Sequence, residues 1–346
     1  GAGYDASVDD QDPIPSSTLY TMGRGIFVVN ALNGSVLWQA GPAPAGATTN
    51  KTVADMTYSI PSDVSMLDRN RDGLIDRVYV GDTGGQIWLL DVSETNPANW
   101  TVNKLASFGY AAASSVTNRR KFLYPPDIVY TKDTLGDFDA VLIGSGDREH
   151  PFNGLGTTTY PFSDAVTNHF YMLKARSTGL TYSGSTLLLS DLYDVTDNLA
   201  QDGTETEKAT AISAIAAAKG LYIELATGEK VVTHALTLSQ TVYFNTHQPT
   251  VSPSSCRANL GTARQYRVDF SDFSAVRDDT GDSTVSAEDR STTSAGGGFM
   301  PSPVPIVVDL GGAPREAVCS GVTCEKVDGK PLNARYRTYW HEDIDR

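Results

Sequence analysis

Short runs of β-branched and aromatic residues recur along the chain between turn-forming Gly, Asp, Asn and Thr. The clearest example is "RVYVGDTGGQIWLLDV", in which two apolar runs flank a turn rich in Gly and Asp. Runs of this length and composition, bounded by turn residues, are typical of antiparallel strands. The pattern predicts one strand over residues 77–80 and a second over residues 86–92.

Other segments repeat this arrangement. "AVLIGSGDREHP" leads, after an insertion, to "NHFYMLKA", and "TVYFNTHQP" leads in the same way to "RQYRVDF". "GIFVVNALNGSVLWQ" and "LYIELATGEKVV" predict further hairpins with Asn-Gly or Thr-Gly turns. The spacing between units exceeds one propeller blade, so we expect an all-β chain of blades, or parts of blades, with long inserted loops. A sandwich of similar hairpins is the alternative.

Two segments depart from the strand pattern. "TETEKATAISAIAAAKG" is rich in Ala, has Glu near its start and ends in Lys-Gly, which are helix start and stop signals. It predicts one inserted helix near residues 205–219. The polar stretch at residues 277–298 ends in three glycines and predicts a long flexible loop.

Length and charge narrow the class of protein. The 346 residues would suit two or three ordinary domains, but a repeat architecture predicts one domain over residues 1–346. The formal net charge of -14 argues against a nucleic-acid groove or an anionic membrane as partner, and it suits a bound divalent cation. The sequence has no run of about 18 apolar residues, so it predicts no membrane span. The start at Gly1 carries no signal peptide and reads like a chain cut from a longer one.

The three cysteines leave alternatives open. Cys319 and Cys324 flank a short loop rich in Gly and Ser, which favours a disulfide over two reduced thiols or a metal-binding pair. Cys256 has no evident partner and is expected to be a buried free thiol.

The strongest chemical signal is the nonapeptide "DRNRDGLID", residues 68–76. Calcium takes six to eight oxygen ligands, and an EF-hand loop supplies them from positions 1, 3, 5, 7 and 9, with glycine at position 6. In this chain those five positions are Asp68, Asn70, Asp72, the backbone carbonyl of Leu74, and Asp76. The spacing predicts a Ca²⁺ site, with an empty Asp/Asn-rich turn or another ion as alternatives.

The loop differs from a complete EF-hand. Position 12 is Tyr79 rather than a bidentate Glu, and the following "RVYVGD" is a predicted strand rather than a helix. We therefore expect Asp76 to coordinate directly and partly replace the missing Glu. The expected mechanism is charge neutralisation, because three carboxylates close together repel when no cation is bound. On that basis Asp76→Lys should mimic the occupied site.

Several stretches resemble the C-terminal propeller of PilY-type proteins, which are associated with the tip of bacterial type IV pili. They are "GRGIFVVNALNGSVLW", "DRNRDGLIDRVYVGDTGGQIWLLDV", "IGSGDREHP", "DLYDVTDN", "GEKVVTHALTLSQTVYFNTHQP" and "RYRTYWHE". The resemblance implies a modified β-propeller akin to quinoprotein alcohol dehydrogenases, nominally seven-bladed, with a propeller incomplete at its N-terminus as the alternative. It also implies calcium in the Asp-rich loop.

The same resemblance implies a function. We expect a non-enzymatic, pilus-associated adhesin or assembly factor that regulates pilus extension and retraction and surface attachment. The implied partners are minor pilins or the pilus tip, with a host or surface ligand, and the implied location is the cell surface after export through the periplasm. The alternatives are a quinoprotein-like dehydrogenase and an interaction domain in which calcium is only a staple.

Features that resemble catalytic or cofactor-binding groups have simpler interpretations. Trp38 and Trp88 fit blade cores better than a cofactor stack. The run "GSGDREHP" places Asp147 and His150 together, but a turn with mutually paired side chains is favoured over acid–base chemistry. Two further acidic stretches, "DDTGD" at residues 278–282 and "HEDIDR" at residues 341–346, lack glycine at position 6 and are expected to be solvated loops.

Overall fold

The computed structural model describes residues 1–11, 22–42, 50–110, 115–151, 165–177, 179–180, 182, 184–250, 260–308, 315–321 and 323–327. In these residues β-strands dominate, and three α-helices are present: α1 Ala6–Asp9, α2 Leu199–Asp202 and α3 Glu205–Ala217. The predicted all-β class is confirmed. None of the described helices is long and apolar enough to cross a membrane.

Twenty strands occur within the described residues. In chain order they are β1 Ile26–Val29, β2 Val36–Gly41, β3 Lys51–Thr52, β4 Ser65–Leu67, β5 Arg77–Gly81, β6 Gln86–Asp91, β7 Thr101–Ser107, β8 Asp127–Asp133, β9 Gly136–Gly144, β10 His169–Arg176, β11 Tyr193–Asp194, β12 Gly220–Glu224, β13 Lys230–Val231, β14 Leu236–Leu238, β15 Thr241–Gln248, β16 Thr262–Asp269, β17 Ser291–Ser294, β18 Val304–Val308, β19 Arg315–Ser320 and β20 Thr323–Lys326. Short 3-10 helices lie at Pro97–Asn99, Val116–Asn118, Leu189–Asp191 and Ala287–Arg290.

The described strands form five sheets, each from a continuous stretch of chain. Their orders are β1-β2-β3, β4-β5-β6-β7, β11-β12-β10-β9-β8, β13-β15-β16-β17 with β14 also on β15, and β18-β19-β20. Local sheets that follow one another in sequence are what a bladed architecture requires. Closure into seven blades and a single domain over residues 1–346 both stay predictions.

Apolar clusters lie between consecutive sheets. Trp38 of the first sheet and Trp88 of the second share one cluster, and each is 1% exposed. Tyr79 and Tyr171 belong to the next cluster, between the second and third sheets. Phe170 belongs to the cluster between the third and fourth sheets. Each inner sheet therefore buries both faces, and the expected core role of Trp38 and Trp88 is confirmed.

Four of the predicted strand pairs are present. β5 pairs with β6, β1 with β2, β9 with β10 and β15 with β16. The predicted hairpin in "LYIELATGEKVV" is wrong, because β12 pairs with β10 whereas β13 pairs with β15. The turn crosses between sheets, and buried Glu229 fixes it by accepting hydrogen bonds from Thr246 and Tyr266 of the fourth sheet.

The inserted helix is confirmed with slightly different bounds, Glu205–Ala217 in place of residues 205–219. It begins with a capping box, in which Thr204 caps the backbone N–H of Glu207 and the Glu207 carboxylate accepts the Thr204 N–H at 2.8 Å. Only Ala211 and Ile215 of this helix are buried. The helix is therefore largely exposed and packs on the sheets through these two residues.

Residues 277–298 do not form one long loop as predicted. The 3-10 helix Ala287–Arg290 and strand β17 lie within this range, and β17 pairs with β16. The Ser/Thr-rich composition of this stretch predicts a loop. However, "STTS", which forms β17, is mostly half-buried and is hydrogen-bonded to β16. Tertiary pairing overrides the local composition here.

The cysteine alternatives are settled for one pair. Cys319 and Cys324 lie opposite each other on β19 and β20 and form a disulfide. Cys256 lies outside the described residues, as do residues 341–346.

Candidate functional site

The acidic nonapeptide connects β4 to β5. Leu67 and Arg77 pair directly at its base, and the backbone N–H of Asp76 donates to the carbonyl of Leu67 at 2.9 Å. The nine-residue segment is therefore the tip of an antiparallel hairpin on the second sheet. The predicted loop-then-strand arrangement is present.

The first carboxylate of the loop organises its backbone. Asp68 accepts hydrogen bonds from the N–H groups of Arg71 at 2.6 Å, Asp72 at 3.2 Å and Gly73 at 2.9 Å. Acidic side chains that accept backbone N–H groups three to five residues ahead bend the chain into a compact turn. Both oxygens of Asp68 therefore face the inside of the loop.

The middle of the loop continues this pattern. Asp72 accepts the N–H of Leu74 at 2.8 Å, and its second oxygen accepts the side-chain amide of Asn70 at 3.0 Å. The Asn70 side-chain oxygen accepts the N–H of Asp72 at 2.9 Å. The amide and carboxylate of alternate residues are thus in direct contact.

Glycine at position 6 has a backbone reason. Gly73 has φ +89°, in the region that residues with a Cβ rarely adopt, although a Cβ there would meet no atom within 4 Å. The requirement is therefore conformational rather than steric. Arg71, two residues earlier, also has positive φ at 64°.

Asp76 differs from the other carboxylates in its burial. It is 3% exposed, and its Oδ2 accepts the backbone N–H groups of Arg69 at 2.6 Å and Asn70 at 3.0 Å. Asp76 therefore closes the loop from within. Asp68 is half-buried, whereas Asn70, Asp72 and Leu74 are exposed.

The donor set fits calcium in chemical type, because carboxylate, amide and peptide oxygens are the ligands of hard cations. The three carboxylates do not converge, however. Across the described ranges, no group of three His, Cys, Asp or Glu side chains has a metal-holding arrangement. Asp68 and Asp72 are turned toward backbone amides of their own loop, and Asp76 lies at its base.

Buried charges tie both ends of the nonapeptide to the third sheet. Arg69 donates from Nε to Asp139 Oδ1 at 3.1 Å, and Arg77 donates to Asp139 Oδ2. The hydroxyl of Tyr79 donates to the same Oδ2 at 2.6 Å. Asp139 and the Arg77 side chain are fully buried. Tyr79, at position 12, is thus a partner of Asp139 rather than a candidate ligand.

Residues 278–289 repeat the hydrogen-bond pattern of the nonapeptide. Asp278 accepts the N–H groups of Gly281 at 2.5 Å and Ser283 at 2.8 Å, as Asp68 accepts those of its own positions 4 and 6. Asp289 closes the loop by accepting the N–H of Thr280 at 2.8 Å. Sequence analysis missed this likeness because Ser283, with φ 73°, occupies the position where a glycine was sought. These bonds are internal to the loop and assign no ligand to it.

The run "GSGDREHP" is a paired turn, as expected. His150 Nδ1 lies 3.0 Å from Asp147, and the Nζ of Lys121 lies 2.6 Å from the same carboxylate. Burial raises the pKa of Asp147, but Lys121 and His150 outweigh it and hold that pKa below its ordinary value. Arg148 pairs with Glu149 at 3.3 Å.

Comparisons with known proteins agree on one kind of relative, although no family model matches the chain. A curated protein of Xylella fastidiosa, "Type IV pilus biogenesis factor PilY1 homolog", is 29% identical over 83 residues, which are 24% of this chain. The chain spans only 6% of that protein's length in this match. The solved "Pseudomonas aeruginosa PilY1 C-terminal domain" matches with a TM-score of 0.56 and 15% identity, over 89% of this chain and 67% of that one. The resemblance to PilY-type proteins is therefore confirmed, and the fold is similar to that solved domain.

Proposed function

We propose that this chain is the calcium-binding, non-enzymatic module of a type IV pilus-associated protein. The observation that carries the proposal is the oxygen-rich loop Asp68–Asp76, which closes on itself at the tip of the β4–β5 hairpin. The fold likeness and the similarity to the type IV pilus biogenesis factor of Xylella fastidiosa support the link to pili.

Five residues would hold the ion: Asp68, Asn70, Asp72, the carbonyl of Leu74, and Asp76. A bound calcium ion would supply positive charge that offsets the carboxylates and would draw their oxygens together. Asp68 and Asp72 would exchange bonds to backbone amides for the cation. Asp76 would keep one oxygen on the amides of Arg69 and Asn70 and offer the other.

The loop would act as a switch for the module. Asp68 and Asp72 hold the turn through exposed hydrogen bonds, which compete with water. Ordering of the exposed tip would change how the hairpin engages its partner. On this proposal the switch regulates pilus extension and retraction and surface attachment.

The proposed partners are minor pilins or the pilus tip, together with a host or surface ligand. The proposed location is the cell surface, reached through the periplasm. A structural disulfide between Cys319 and Cys324 supports an oxidising compartment. We also propose that the consecutive sheets close into a modified propeller.

Calorimetric titration of chelator-treated protein with calcium tests the proposal. We expect one site that is lost in Asp72→Ala. Asp194→Ala is the matched control, because exposed Asp194 also accepts a backbone N–H two residues ahead, at 2.9 Å, but lies at the end of β11, outside the acidic loop. Absence of binding heat in the wild type, or binding that survives Asp72→Ala, would overturn the calcium assignment.

A second candidate, in which calcium is only a staple, is favoured by the buried anchors of the hairpin. Because Arg69 and Arg77 already tie it to Asp139, calcium would add local stability without a change of partner affinity. Equal affinity for purified pilus fractions with and without calcium would support the staple, and a difference would support the switch.

A further inference from the structure

We propose that Asp139 is the positioning residue of the nonapeptide. By pairing with Arg69 near one end of the loop and with Arg77 at the other, Asp139 holds the loop in a fixed position against the third sheet. The effect on calcium affinity rests on the proposed function, whereas the positioning of the loop by Asp139 does not depend on calcium.

The two arginines bracket the loop in sequence. Arg69 is its second residue, and Arg77 is the first residue after it. Asp139 lies 70 residues beyond Arg69, on the central part of β9, and its two oxygens divide between the two guanidinium groups. One carboxylate of the third sheet therefore accepts hydrogen bonds from arginines at both ends of the loop.

Arg69 is held from several sides. Its guanidinium carbon lies 4.9 Å from the ring centroid of Tyr130, the residue directly opposite Asp139 on β8. Its Nη1 also donates to the carbonyl of Gly179. The side chain is 6% exposed, so its position is set by the third sheet and not by solvent.

The backbone of Arg69 links this anchor to the loop. While its side chain reaches Asp139, its N–H donates to Asp76 at 2.6 Å. Displacement of the guanidinium would therefore shift the amide that orients a proposed ligand. Groups that orient ligands in this indirect way tune metal affinity by about 10–100-fold when removed.

Arg77 extends the same anchor past the loop. Its Nη2 donates to Ser177 Oγ at 2.6 Å and to the carbonyl of Leu180 at 2.5 Å. Burial lowers the pKa of this guanidinium, but Tyr79 and Asp139 outweigh it and raise that pKa, which keeps the charge in place. Two buried arginines share one carboxylate, so the cluster retains excess positive charge beside an acidic loop.

Because of that excess charge, the two possible roles of Arg69 predict opposite changes in calcium affinity. If Arg69 acted only as a nearby positive charge, its removal would strengthen calcium binding, because like charges repel. If it positions the loop, its removal weakens binding. The direction of the change in Kd therefore separates the two roles.

The experiment compares Arg69→Met with the wild type in two measurements. The first is hydrogen exchange in chelator over a peptide that spans the loop, where we expect faster exchange of the loop amides than in the wild type. The second is calorimetric Kd for calcium, where we expect a rise of about tenfold. Arg69→Lys should be intermediate, since one ammonium cannot reproduce the forked contacts.

Arg120→Met is the matched control. Arg120 is also a buried arginine, 4% exposed, but it donates to the carbonyls of Phe108 and Thr167 and does not contact the loop. It should leave loop exchange and Kd unchanged. Asp139→Asn is a second variant with the same expected signs, and Arg69→Met carries the test if Asp139→Asn does not fold.

The outcomes are distinguishable. Unchanged loop exchange in Arg69→Met, or a Kd that falls, overturns the positioning role of Asp139. Faster loop exchange in a protein whose wild type takes no calcium supports the positioning role and removes the proposed calcium function.

Discussion

The carboxylate of Asp76 accepts the backbone N–H of Arg69 across the base of the nonapeptide, at 2.6 Å. This contact joins residues seven positions apart and is buried. It makes Asp76 a hydrogen-bond acceptor that closes the loop.

Asp76→Lys should therefore fail as a mimic of the occupied site, contrary to the expectation from sequence. An ammonium at this buried position cannot accept the N–H groups of Arg69 and Asn70. We expect a loss of about 2–4 kcal/mol in the free energy of unfolding, measured by urea denaturation in chelator.

Asp72→Lys is the control for that change, because Asp72 is exposed. It should alter the free energy of unfolding by less than about 0.5 kcal/mol. Equal losses in the two variants would contradict the distinct role of Asp76.

Gly73→Ala tests the backbone requirement of the turn. At φ +89° an alanine is strained even though its Cβ has open space, so we expect a cost of about 1 kcal/mol. Gly296→Ala is the control, because its φ lies outside the left-handed region and its Cβ would also meet nothing within 4 Å. Denaturant midpoints of the two variants that coincide would argue against a strained turn.

Buried His169 predicts a loss of stability in acid. Burial, and then the charge of Arg120, lower the pKa of His169 to about 3, whereas an unfolded histidine titrates near 6.5. Between these values the unfolded chain binds the proton and the folded chain does not, so stability falls as the pH falls below about 6.5. The contribution lost by pH 4.5 is roughly 3 kcal/mol.

His169→Gln removes this titration and is the variant to compare. Its free energy of unfolding should fall less than that of the wild type between pH 6.5 and 4.5, when measured by urea denaturation at each pH. Tyr171 and Glu224, which contact His169, are unchanged in this variant. Parallel curves would show that folding does not lower the pKa of His169.

The helix cap offers a separate test of local sequence signals. Thr204→Ala removes the oxygen that accepts the N–H of Glu207 and should cost about 1 kcal/mol. Thr206→Ala, at an exposed position two residues later in the first turn of α3, is the control. Thermal unfolding followed by circular dichroism measures both, and equal midpoints would contradict the role of the cap.

Local patterns predicted the parts of the fold that local physics determines. The apolar alternation around Val80 and Trp88 identified β5 and β6, which pair at those residues. The turn in "LYIELATGEKVV" was misassigned because Thr-Gly chemistry describes a bend but not which sheet the next strand joins. Buried Glu229 makes that choice through contacts with the fourth sheet.

For the candidate site too, the local part was predictable from the sequence and the long-range part was not. The spacing of Asp68, Asn70 and Asp72 was sufficient to predict the loop and its glycine. The anchor was not predictable, because Asp139 lies in an ordinary strand 70 residues later and no motif connects it to Arg69. Only the packing of two sheets brings them together.

The spacing between Arg69 and Asp139 also has a consequence for biosynthesis. A ribosome adding about 5–20 residues per second makes the nonapeptide several seconds before its counterion exists. During that interval two guanidinium groups on the nascent hairpin have no carboxylate to receive them. The second sheet can pair its own strands before then, but the contacts of Arg69 and Arg77 that tie the acidic loop to the third sheet form only after β9 has been synthesised.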